Sequence, residues 1–241
     1  MQKLILFVSL LLIAFAKAQT TDPMSLVNIQ KASQSEIDAY DPTLLEIGML
    51  VYNTDKNRIY EYTDQGFLEI LTSGNVHTGF FIISGNGVVT VSGIPFEPSQ
   101  VTFVAHANVE SLSISADNGV GDNARGIYNS FGTMNGFVNN SSGTLQQQVI
   151  YVGGHGNSIN DISRYASSAH CIGIRYGDQN GRSLGRISGA FDAFTADGFT
   201  INVTYVNGVV SSSTTSTNLA LRVRPDDVQN EDIVVLYTAY R

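Results

Sequence analysis

The chain has 241 residues, 43% of them hydrophobic and only 14% charged, with 23 Gly and a formal net charge of −8. Ordinary globular domains carry roughly 25% charged residues, so this composition excludes a disordered chain, a coiled coil and a salt-bridged helical bundle. The acidic balance sets aside a nucleic-acid partner, which needs a basic face to displace counterions from phosphate, and an anionic membrane surface for the same reason.

Residues 1–18, MQKLILFVSLLLIAFAKA, have the three parts of a secretory signal: Lys3, an apolar run from Leu4 to Phe15, and Ala16-Lys17-Ala18 as an A-x-A cleavage site. The apolar run is about a dozen residues, short of the roughly 20 that span a bilayer. No later run approaches that length, so a cleaved signal peptide and no transmembrane segment in the mature chain are expected. The expected location is secreted or at the cell surface, with the periplasm left open. Cys171 is the only cysteine, which rules out an intrachain disulfide. It lies in a strand-like run and reads as a small buried apolar residue.

Two regions follow the leader. In 19–74, an N-terminal arm and hairpin module, Leu26, Ile29 and Ile37 have weak helical spacing. Ser33 with Glu36 fits a capping box, predicting a short helix or irregular arm within 25–40. Next, Gly48 to Tyr62 holds two alternating runs around Asn53-Thr54-Asp55-Lys56-Asn57, the pattern of a β-hairpin, and Phe67–Leu71 adds a third strand. Three strands of this size are barely self-sufficient and call for a partner or for the second region.

Region 75–241 is strand after strand. Val101, Phe103, Ala105, Ala107 and Val109 share one face of a strand, as do Phe199, Ile201, Val203 and Tyr205. Ile233–Tyr240 is apolar on both faces and reads as a central strand. Further strands are expected at 79–84, 87–93, 125–138, 144–152, 168–176 and 183–194, and one helical turn at Ser158–Arg164. Roughly eight to ten strands with short turns predict an all-β fold, a β-sandwich or jelly roll. Both Lys of the mature chain, Lys31 and Lys56, lie in the first region, so a Schiff-base lysine is excluded from the second.

Gly48-Met49-Leu50-Val51-Tyr52-Asn53-Thr54, Tyr60-Glu61-Tyr62 and Gly66-Phe67 together resemble the G-x-x-V-Y-N-T hairpin module of exported Bacteroidetes surface proteins and phage tail-fibre proteins. Phe67 stands where that module usually carries Trp. Gly85-Asn86-Gly87, Val91 to Val101 and Ala196 to Asn202 resemble the tail-fibre-like β-sandwich domains that often follow it. Phe96, Pro98 and Val101, Gly198-Phe199, and Val235, Tyr237 and Ala239 are similar to the frame of H-type lectin domains, with residues 110–190 as an insertion. These resemblances imply homotrimers with binding loops at one end.

The chain contains no G-x-S-x-G, H-E-x-x-H or Walker loop. His77, His106, His155 and His170 are scattered. Glycines expose His155 in Gly153-Gly154-His155-Gly156-Asn157, so His155 and Asn157 are candidate ligand-binding residues; the alternative is an exposed loop. Arg175 and Arg182 belong to a set of arginines, with Arg186, Arg222 and Arg224, whose forks suit an acidic sugar or pair with Asp178, Asp226 and Asp227. Asp117, Asn118, Asp122 and Asn123 offer four oxygen-bearing side chains as candidate calcium ligands, or are plain turn residues. No other cofactor is expected. Tyr128, Phe131, Tyr151 and Tyr165 are available for stacking on sugars or for the core. Asn139, Asn140 and Asn202 sit in glycosylation sequons. Asp161, Asp178, Asp192 and Asp197 are the carboxylates a glycosidase would need. The expectation is a non-enzymatic, exported, fibre-like structural or adhesive protein, likewise expected to be trimeric. The alternative is a carbohydrate-binding, lectin-like module whose loops 117–123 and 153–160 form the site, with or without calcium, and whose partner is a cell-surface glycan.

Overall fold

The computed structural model describes residues 28–113, 127, 129–140, 142–209 and 223–241. The chain divides into two compact units, one through Ile70 and one from Leu71 to Arg241.

In the first unit, β1 (Gln30–Ala32), α1 (Gln34–Asp38), β2 (Leu50–Asn53), β3 (Arg58–Thr63) and β4 (Gly66–Glu69) form a four-stranded sheet of order β1-β2-β3-β4 with one short helix. The capping box forms as expected. The Ser33 side chain accepts from the Glu36 N–H, and the Glu36 carboxylate accepts from the Ser33 N–H at 2.7 Å. Helix covers only five residues, because 30–32 run as a strand parallel to β2 and bury Ala32. The hairpin turn is built on buried Asn53. Its Oδ1 accepts from the N–H groups of Asp55 and Lys56, both at 3.0 Å, while its Nδ2 donates to Gln34 at 2.9 Å. Asn57 takes the left-handed conformation at φ 54° that closes the turn.

The second unit is an all-β sandwich. Its strands are β5 (Val76–Ile83), β6 (Gly87–Val91), β7 (Gln100–His106), β8 (Ser130–Asn139), β9 (Gln146–His155), β10 (Ser158–Ser167), β11 (Ile172–Gly177), β12 (Ser183–Thr195), β13 (Gly198–Asn207) and β14 (Ile233–Tyr240). They make a six-stranded sheet of order β10-β9-β8-β7-β14-β5 and a four-stranded sheet of order β11-β12-β13-β6, antiparallel at every pairing.

Alternation sends one face of each sheet into a shared core. Phe81, Phe103 and Tyr237 of the larger sheet meet Phe199 of the smaller at centroid distances of 6.0, 5.6 and 5.4 Å, in edge-on geometry. Burying each such ring contributes roughly 1.5–3 kcal/mol. Two glycines make room for this packing. The Tyr237 ring lies over Gly79, its partner across β14 and β5, where a Cβ would sit 2.5 Å from the hydroxyl. Gly136 of β8 lets the Cys171 carbonyl approach, in contact with the space a Cβ would fill. Cys171 itself is buried as expected, and burial pushes its thiol up to about 12, which keeps it protonated at neutral pH.

Residues 158–164 do not form a helical turn. They open β10, which pairs Ser158 with His155 and then, after an irregularity, Ile162 with Gly154. The exposed edge of β9 offers a ladder, and Ile162 to Ser167 takes it in regular register.

Candidate functional site

Three of the four candidate ligand-binding side chains gather around the turn that joins β11 to β12. Asp178, with its carboxylate fully buried, anchors that turn. Its Oδ1 accepts from the N–H groups of Asn180 at 2.9 Å and Arg182 at 2.8 Å, and its Oδ2 accepts from the Arg182 guanidinium at 2.8 Å. Burial alone would raise the Asp178 pKa, but these donors and the Arg182 charge outweigh it and hold the carboxyl below its ordinary range. Arg175 donates to Ser163 Oγ and to the Gly181 carbonyl, each at 2.9 Å. His155, expected to be exposed among its glycines, instead ends strand β9, where it is 2% exposed and feels the charge of Asp178. Its Nδ1 accepts from the Asn157 N–H at 3.3 Å, which leaves the proton of the neutral ring on Nε2. Burial lowers its pKa and Asp178 partly offsets this, so the ring is neutral at pH 7. Asn157 points to solvent. Arg175 and Arg182 thus spend their forks on Ser163, Gly181 and Asp178, and the arrangement holds a turn rigid.

Asp117, Asn118, Asp122 and Asn123 lie outside the described residues, as do Tyr128 and Arg222. Among the described residues no group of three or more His, Cys, Asp or Glu side chains is placed to hold a metal ion. No helix among them is long and apolar enough to cross a membrane. Tyr151 is buried in the core and Tyr165 stacks under Arg186 at 5.1 Å, while Phe131 is exposed.

A second polar feature went unseen in the sequence. Glu231, just before β14, is 2% exposed, and burial together with the nearby Glu110 charge pushes its carboxyl up to about 8. At neutral pH it is a buried neutral acid beside the Tyr176 hydroxyl. The segment Gln229-Asn230-Glu231-Asp232 looks like any polar turn, so nothing in the pattern marks one of its four residues as buried.

A broad surface feature among the described residues is the outer face of the six-stranded sheet. Cross-strand register aligns Phe80, Leu236, Val104, Asn135, Ile150 and Ala166 in one row across all six strands. Phe80 is 52% exposed, Leu236 50% and Ile150 57%. Neighbouring rows add Ile82, Phe137, Val152, Phe131 and Ile162, all exposed. A hollow of about 420 Å³ opens between β7, β8 and β9, floored by Phe103 and Gly136 and rimmed by Thr102, Asn135, Phe137 and Ile150. Exposed apolar residues are normal singly; here they recur on neighbouring strands of one face, between Thr, Asn and Gln.

In comparisons with protein-family models, with curated proteins and with solved structures, the chain matches none.

Proposed function

We propose that this chain is an exported, fibre-like structural or adhesive protein without catalytic activity, assembled as a homotrimer. The observation that carries this is how little core the described residues of the first unit bury. Among them the buried cluster consists of Ala32, Ile37 and Val51, with Tyr40, Tyr60 and Phe67 packed against it. Outside it, Leu44 is 76% and Ile47 74% exposed, and Met49, Leu50 and Leu68 are exposed as well. A groove lined by Tyr40, Leu45, Met49, Leu50 and Phe67 opens on this surface. Four short strands over so small a core are at the margin of independent stability, and identical units brought together would bury what each leaves open. The resemblance of the Gly48–Phe67 hairpin to the tail-fibre module points the same way, as does the low-charge, leader-bearing sequence.

Expression of the full chain with its leader tests the compartment and the role together. The expected result is a product beginning at Gln19 in the medium or on the cell surface, inert on a panel of glycosides. Unprocessed chain retained in the cytosol, or turnover of any glycoside, would overturn the proposal. Glycan-array binding abolished by a chelator would replace it with the calcium-dependent lectin reading.

A further inference from the structure

The outer face of the six-stranded sheet has an unusual charge pattern for so acidic a chain. The outward positions of β5, β14, β7, β8, β9 and β10 follow from register. They are Val76, Thr78, Phe80 and Ile82; Val234, Leu236, Thr238 and Tyr240; Gln100, Thr102, Val104 and His106; Phe131, Thr133, Asn135, Phe137 and Asn139; Gln146, Gln148, Ile150, Val152 and Gly154; and Ile162, Arg164 and Ala166. None is Asp, Glu or Lys, although the chain holds 21 acidic residues. The one permanent charge is Arg164, on the edge strand β10.

From this face we infer that the sandwich carries its own assembly surface, and that its occupant is another copy of this chain. The inference rests on the homotrimer proposed above and locates a contact on which its assembly depends. Two copies that each carry excess negative charge repel unless they meet where that charge is absent, and this face is such a place. Its extent is considerable: six strands about 4.8 Å apart, over roughly 20–25 Å of strand, cover roughly 600 Å², which the two neighbours of each chain in a trimer share.

The test compares the wild-type chain with Leu236→Glu, Ile150→Glu and Thr102→Lys by light scattering after size exclusion, with circular dichroism and thermal melting at low protein concentration. These side chains face water in the separate chain, so the variants should keep the wild-type spectrum. The expected result is three chains per particle for wild type and one for each variant. Thr102→Lys replaces a polar residue and guards against misfolding of the two apolar replacements. Variants that remain trimeric would overturn this surface and leave the homotrimer standing, seated elsewhere. A wild-type chain that is monomeric at every concentration would overturn both, and would leave this face to a different partner.

Discussion

Replacement of Glu231 by Gln should remove a loss of stability that the wild-type chain suffers as pH rises from 5 to 8. In the folded chain burial raises this carboxyl from 4.5 to about 8, while in the unfolded chain it has its ordinary value. Between those values the folded state holds a proton that the unfolded state has released. Stability from this group is therefore full below about pH 4.5 and is lost as pH rises toward 8. The slope reaches about 1.4 kcal/mol per pH unit, so the loss between pH 5 and 8 is on the order of 4 kcal/mol. Gln keeps the shape and the neutral polar end of the protonated acid, so Glu231→Gln should match wild type near pH 5 and exceed it by several kcal/mol at pH 8. Urea unfolding at pH 5, 6, 7 and 8, at one protein concentration, measures both midpoints. The difference between the two proteins isolates Glu231 from His155, whose lowered pKa acts in the opposite direction and below about 6.5. Parallel profiles for wild type and variant would refute the buried neutral acid.

Asp178→Ala removes the acceptor for two backbone N–H groups and a guanidinium, and should destabilise the sandwich by about 2–3 kcal/mol in chemical unfolding. Because its pKa is depressed, the Asp178 contribution is present above about pH 3.8 and disappears as pH falls through the folded value; an acid titration of wild type against the Ala variant should converge there. Gly136→Ala drives a methyl group into the Cys171 carbonyl and should cost about 3 kcal/mol or more, visible as a lowered Tm or as insoluble protein. Cys171, buried with a raised pKa, should react with a thiol reagent only at the rate of global unfolding.

Much of the sandwich was legible because period-2 patterning is local. The alternation in Val101–Val109 and in Phe199–Tyr205 places the buried side of β7 and β13, where Phe103, Phe199 and Tyr205 enter the core. Ile233–Tyr240 is a different lesson. Its apolarity on both sides predicts a central strand, and β14 does lie between β7 and β5. The inner side enters the core with Ile233, Val235, Tyr237 and Ala239, while on the outer side Val234 is buried and Leu236 is half exposed. An outward apolar residue looks the same in sequence whether a second layer covers it or water does. Residues 158–164 misled for a related reason, since pairing with the open edge of β9 overrides a weak local preference. The binding candidates His155, Arg175 and Arg182 do meet around one turn, but Asp178, which anchors that turn, was visible in sequence only as a possible partner for arginine or as one of four candidate carboxylates. Glu231 gave no signal, because burial of a single turn residue depends on what folds over it.

The most direct measurement of the account is the solution mass of the chain without residues 1–18, determined by light scattering across a dilution series. Assembly through charge-free apolar surfaces predicts three chains per particle that persist on dilution and in high salt, since apolar burial is not screened. A single-chain mass at every concentration would contradict the homotrimer and the fibre-like role built on it.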